Sequence, residues 1–160
     1  MSIYVLDTCA LRELMFHFRR GVPVFDRMWE EIDTMIEEGT LVFVKESYNE
    51  LERQLKDDES QDWLKARKKH FTAATNEECV LVAQLYATRN FQDNVAEKNL
   101  RNGQPVADPF IVAHAKALGN EAVVVSREVL KPNAAKIPNM CEELDVVYMD
   151  DREFQALLLR

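Results

Sequence analysis

At 160 residues and 47% hydrophobic side chains, the chain can bury about 70% of its unfolded surface, so a core needs no disulfide or metal staples. Three widely spaced cysteines, Cys9, Cys79 and Cys141, exclude a disulfide framework and fit a reducing compartment. A formal net charge of −8 excludes a broad basic face, so any nucleic-acid contact must use local basic stretches or bridging divalent cations.

No signal peptide precedes Asp7, and no apolar run approaches the ~20 residues of a membrane span. The expectation is one domain over residues 1–160, cytoplasmic and without membrane contact. Four continuous apolar runs read as strands buried on both faces: Ile3 to Leu6, Leu41 to Val44, Ala122 to Val125 and Val146 to Met149. Asp7 follows the first run and leads into a helical pattern. Val24, Phe25, Met28, Trp29, Ile32, Met35 and Ile36 keep helical spacing up to a stop at Gly39. Tyr48, Leu51 and Leu55 mark the next helix. Asn76 is a plausible N-cap for a helix carrying Cys79, Val82, Ala83 and Tyr86. Asp108-Pro109 opens a very apolar helix that Gly119 closes, and a last helix starts near Asp150 or Asp151. Strands alternating with helices, and only four glycines, predict an α/β fold: a three-layer α/β/α sandwich with a small, mainly parallel sheet of four or five strands.

Chain direction gathers the acidic residues on one edge. A helix from Asp108 to about Leu118 is ~16 Å long, and the strand after it is ~13 Å long. The helix start therefore returns to the level of Ser126 and Glu128. Glu50 lies in the second turn after the Leu41 to Val44 strand, and Asp7 ends the first. In a parallel sheet all of these sit at the carboxyl edge, where α/β proteins place ligands. Each residue also has a plain structural reading: Asp7 and Asp108 as N-caps, Ser126 as a turn residue. Glu50 lies roughly 130° from its helix's apolar stripe, as a surface glutamate would. Two carboxylates ~5 Å apart repel by about 3 kcal/mol at an effective dielectric of 20. Such a cluster either shares protons or binds a divalent cation, for which Mg²⁺ or Mn²⁺ is the natural occupant.

Tyr4-Val5-Leu6-Asp7-Thr8-Cys9-Ala10-Leu11 resembles the opening motif of PIN-domain ribonucleases, as found in toxins of VapC type. Asn49-Glu50-Leu51 resembles their second acidic motif, Asp108-Pro109-Phe110-Ile111-Val112-Ala113 the third, and Val124-Val125-Ser126-Arg127-Glu128 the fourth. The segment from Lys136 to Cys141, with Trp29 and Trp63, is similar to a PIN-like branch known mainly as a domain of unknown function. Glu128 stands where many PIN domains have Asp, and Cys9 where Asn is common. The resemblance implies an endoribonuclease that uses Mg²⁺ or Mn²⁺. Asp7 and Asp108 would be direct metal ligands, Glu50 and Glu128 would hold metal-bound waters or a second cation, and Thr8 and Ser126 would orient the carboxylates. It also implies an RNA substrate, an antitoxin partner and a homodimer. A non-catalytic PIN-like module binding RNA or protein, and a small nucleotide phosphohydrolase, are the alternatives.

His17, His70 and His114 form no ligand-spaced pair, which argues against zinc, and His114 reads as a satisfied core histidine. Cys9 reads as a small buried hydrophobe rather than a nucleophile. The one concentrated basic stretch carries Lys65, Arg67, Lys68 and Lys69, beside Trp63 and Phe71. It reads either as a grip on an RNA backbone or as a solvated helix face with both aromatics in the core.

Overall fold

The computed structural model describes residues 1–88, 91–94 and 106–160. Its sheet is formed by β1 (Ile3–Leu6), β2 (Leu41–Val44), β3 (Phe71–Thr72), β4 (Ala122–Ser126) and β5 (Val147–Asp150). All four apolar runs are strands. The last two shift slightly, since β4 takes in Ser126 and β5 runs from Val147 to Asp150. The two-residue β3, invisible in the sequence pattern, exists because Phe71 pairs with Phe43 and stacks on it at 4.7 Å between ring centroids.

Every strand pairing is parallel, in the order β3-β2-β1-β4-β5. The connections are helical: α1 (Thr8–His17), α2 (Asp26–Glu38), α3 (Lys45–Gln54), α4 (Asp58–Ala66), α5 (Asn76–Ala87), α6 (Ala107–Leu118), α7 (Ile137–Leu144) and α8 (Asp151–Leu158). Alternation along the strands divides the core in two. Leu6, Phe43 and Val125 face α1, α2, α3, α4 and α8, while Val5, Val44 and Val124 face α5, α6 and α7. This is a three-layer α/β/α sandwich.

Trp29 and Trp63 are buried edge to face at 5.8 Å, and Met28 lies in the same cluster, so the aromatic and methionine stripe is core. Gly39 takes φ +78° at the end of α2, a conformation that L side chains adopt at a cost. Among the described residues, no helix is long and apolar enough to cross a membrane.

The N-cap of α5 is Thr75, not Asn76. Thr75 Oγ1 accepts the Glu78 N–H at 3.1 Å, and Glu78 Oε2 accepts the Thr75 N–H at 3.0 Å. This capping box was spelled in Thr75-Asn76-Glu77-Glu78. The other oxygen of Glu78 lies 2.6 Å from His114 Nδ1 on α6, so His114 is satisfied where α5 and α6 pack. Glu78→Ala removes both a cap and the partner of a buried ring. The expected loss is about 1 kcal/mol for the cap and about 1–3 kcal/mol for the orphaned group. Urea unfolding reads the sum; an unchanged midpoint would show that the pair contributes nothing.

Candidate active site

The strand order turns over at β1. Chain progression from β1 runs through β2 to β3 on one side, and β4 then starts the other side. The crevice at the carboxyl ends of β1 and β4 is therefore the topological switch point, where sheets of this type hold ligands. Asp7 directly follows β1 there, and Ser126 ends β4. The Ser126 hydroxyl donates to Asp7 Oδ2 at 3.3 Å across the switch point, and the Glu128 N–H donates to Ser126 Oγ at 3.1 Å.

Asp7 is only 2% exposed. It stands at the N-cap of α1, where the amide of Cys9 in the first turn lowers its carboxyl as a cap donor would, although no full side-chain cap hydrogen bond forms. Asp108 is not the cap of its helix: Val106 holds that position, and Asp108 is the second residue of α6. Pro109 falls third in the helix rather than first, still among the residues whose N–H would lack an intrahelical partner. Glu50 is half-buried on α3. Thr8 Oγ1 donates to Glu50 Oε1 at 2.8 Å and lies 3.0 Å from Ser47 Oγ. A hydroxyl has a single proton, so Thr8 accepts from Ser47 as it donates to Glu50.

The four carboxylates sense one another through Asp108. Burial raises the carboxyl of Asp7 well above the usual range, and the charges of Asp108 and Glu128 add to it, against the Cys9 amide and the Ser126 hydroxyl. Burial also raises Glu50, opposed by the Thr8 hydroxyl and reinforced by Asp108. Glu128 is raised by burial and by Asp108, while Lys136, whose Nζ lies 3.5 Å from Glu128 Oε2, pulls it down. Sequence reasoning passed over Ser47 and Lys136. Ser47 sits three residues before Glu50, on the same side of α3, a signal that was legible. Lys136 arrives from the segment before α7 and carries no local mark.

Among the described residues, no three His, Cys, Asp or Glu side chains are already gathered closely enough to hold one metal ion. Carboxylates without a cation between them keep apart, because each closer approach raises their repulsion. The donor set itself is all carboxylate oxygen, matched to a hard divalent cation and unsuited to zinc or copper. Cys9 is not a competing nucleophile: burial, then the charge of Asp7, pushes its thiol up to about 11.

The basic stretch is placed elsewhere. It enters β3 from its amino end, on the margin of the sheet, and its neighbours belong to α2 and α3. Arg67 donates to Asp33 Oδ1 through Nη2 at 2.8 Å and through Nε at 3.1 Å, with its guanidinium 4.5 Å from the Trp63 ring. Lys68 Nζ lies 5.4 Å from the Tyr48 ring, and His70 pairs with Glu37 at 3.3 Å. Trp63 and Phe71 are buried. Lys65 and Lys69 are exposed. The structure thus brings Asp7, Thr8, Glu50, Asp108, Ser126 and Glu128 to one crevice and leaves Lys65, Arg67, Lys68 and Lys69 apart from it.

Sheet order and helical layers define a three-layer α/β/α sandwich with an acidic crevice at the switch point. The chain belongs to the family described as "Domain of unknown function (DUF4411)", whose profile matches residues 4–157. No curated protein matches the sequence. Among solved structures it is similar to the crystal structure of FitAcB from Neisseria gonorrhoeae, with a TM-score of 0.51 and 16% identity over 94% of this chain and 99% of that one. At that identity the likeness concerns the fold.

Proposed function

We propose that the chain is a metal-dependent endoribonuclease that hydrolyses RNA phosphodiester bonds with Mg²⁺ or Mn²⁺. One observation carries the reading: at the switch point, Asp7 is buried, is hydrogen-bonded to Ser126, and is charge-coupled to Asp108 and Glu128. Asp7 and Asp108 would hold the metal. Glu50 and Glu128 would position its waters. Bound there, the cation would lower the pKa of an attacking water and neutralise charge on the phosphate. The protein's own contribution is orientation and charge. Thr8 fixes Glu50 through one hydroxyl hydrogen bond, and Ser126 fixes Asp7 while tying down the backbone of Glu128.

Incubation of labelled single-stranded RNA with Mn²⁺ or Mg²⁺ tests the reading, with a parallel sample in chelator. Endonucleolytic fragments that vanish on chelation are expected, and intact RNA in every sample overturns it. Cleavage of mononucleotides alone would instead mark a small phosphohydrolase. The Lys136–Glu128 ion pair favours a second reading, a PIN-like module that binds without cutting, because it occupies a carboxylate the nuclease needs. No rise in melting temperature at millimolar Mn²⁺ would decide for it. The PIN-like resemblance also supports a toxin held by an antitoxin, whose basic side chain would close the acidic crevice. Expression of the chain alone should then arrest growth, and harmless overexpression rejects the toxin role.

A further inference from the structure

An acidic protein that cuts RNA needs cations for the strand on either side of the cut, and the basic stretch at Lys65–Lys69 is not beside the crevice. The fold builds another basic surface from residues far apart in sequence. Between α1 and the end of α3 lies a groove of about 560 Å³, its floor formed by Met15, Phe16 and Leu55 and its walls by Arg12, Arg19 and Lys56. Among the described residues Asp57 is the one acid lining it; its Oδ2 accepts the Ser60 N–H at 2.9 Å as the N-cap of α4, and the charge of Arg19 reaches it across the groove. In a chain of net charge −8, this is a local excess of positive charge over an apolar floor. Phe16 is 73% exposed, an aromatic face that the core does not use. Arg19 and Lys56 are exposed as well. Lys56 Nζ donates to the Arg53 carbonyl at 3.1 Å.

Through Arg12 the groove's lining reaches Cys9, beside the acidic crevice. Arg12 lies one turn beyond Thr8 on α1, where Nη1 donates to Gln54 Oε1 at 2.8 Å and Nη2 approaches Cys9 Sγ at 3.7 Å. Cys9 in turn sits among the charges of Asp7, Asp108 and Glu50. A strand whose reacting phosphate lies at the crevice therefore continues past Cys9 and Arg12 into the groove. Its occupant must bring regular negative charge and a flat apolar face, which describes a single-stranded nucleic acid: phosphates for the cations, a base for the phenyl ring.

Resting on the ribonuclease reading, we propose that this groove is the substrate's flanking subsite. In it Arg12, Arg19 and Lys56 hold RNA backbone phosphates, and Phe16 stacks on a base next to the cut. The test measures binding apart from cleavage. Asp7→Asn protein in Mg²⁺ is titrated against a fluorescent single-stranded RNA 12-mer, with Arg19→Glu/Lys56→Glu and Phe16→Ala added in turn. All three positions are exposed, and circular dichroism checks that each variant is folded. The double charge reversal should weaken binding by at least about tenfold and flatten the salt dependence by about 1.4 in slope, for two lost single-strand phosphate contacts. Phe16→Ala should weaken it about 5- to 150-fold with the salt slope unchanged. Variants that bind as tightly as the Asp7→Asn parent, or a parent that binds no RNA, overturn the assignment, even if the wild-type protein cuts. Weakened binding in a protein whose wild type cuts nothing removes the nuclease reading and leaves the groove standing.

Discussion

Asp108→Asn should reduce RNA cleavage to background while the protein melts at the same temperature or higher. Asp108 is the residue whose charge raises the carboxyls of Asp7, Glu50 and Glu128 together. Neutralising it removes three repulsions from the metal-free protein and adds no bulk. Two carboxylates ~5 Å apart repel by about 3 kcal/mol at an effective dielectric of 20. Asp108, Glu50 and Glu128 are only half-buried, so solvent screening brings the expected gain nearer to about 1 kcal/mol. That is a rise of about 2–4 °C for a chain of this size. Asp7→Asn should behave alike, since amide and carboxylate have the same shape and Ser126 keeps an acceptor. Cleavage that survives either substitution ends the nuclease reading. A fall of many degrees would show that the carboxylate is structural and that lost activity says nothing of chemistry.

The metal-free protein should grow more stable as pH falls from neutral toward the ordinary carboxylate range, against the usual trend. The sign follows from proton uptake. Burial raises the folded-state carboxyls of Asp7, Glu50 and Glu128, and also those of Glu46 and Asp151. In the unfolded chain these groups titrate near pH 4. Between those values the folded protein binds more protons than the unfolded one, so stability falls as pH rises through the raised pKa values. Asp57 and Asp150 have lowered carboxyls, and the stability they contribute is lost only as pH falls through and below the ordinary carboxylate range, which turns the curve down again. Mn²⁺ should invert the slope, because it binds the ionised carboxylates and competes with protons for them. At 100 times its dissociation constant it should add about 2.7 kcal/mol, a rise of about 5–10 °C at neutral pH that fades on acidification. Melting curves across this range, with chelator or with Mn²⁺, check both slopes. A metal-free protein that loses stability steadily on acidification from neutral pH would show that these carboxylates are not the buried, mutually repelling set described above. Glu46→Gln separates the contributions, because among the described residues Glu46 has a buried oxygen without a hydrogen-bond partner, and the charge that raises it is that of Glu78 and not of Asp7 or Asp108.

The strands were legible because parallel strands buried on both faces need unbroken apolar runs, and four such runs stand in the sequence. β3 was not, since two residues carry no pattern and the Phe43–Phe71 stack that holds them is tertiary. Chain direction alone was enough to bring Asp7, Asp108, Ser126 and Glu128 to one edge. Glu50 was misleading on the helical wheel. α3 buries two faces, one with Tyr48 and Leu51 in the apolar core and another with Glu46 and Ser47, and Glu50 belongs to the polar buried one. A wheel that scores only hydrophobic residues takes such a face for solvent. Charge left two readings open for the basic stretch, and Trp63 and Phe71 lie in the core as the solvated-face reading expected. Lys65, Arg67, Lys68 and Lys69 are concentrated in sequence yet lie on the sheet margin, whereas Arg12, Arg19 and Lys56 are scattered in sequence and share a groove.

The hydrogen bond between Ser126 and Asp7 spans 119 positions of the chain. A ribosome makes Asp7 before its partners on β4 and beyond, which emerge only after 119 more residues have been added. Closing so long a loop carries an entropic penalty that grows only slowly with length, so the delay is one of synthesis and not of thermodynamics. A nascent chain that has not yet reached β4 therefore holds Asp7 without the hydroxyl that fixes it.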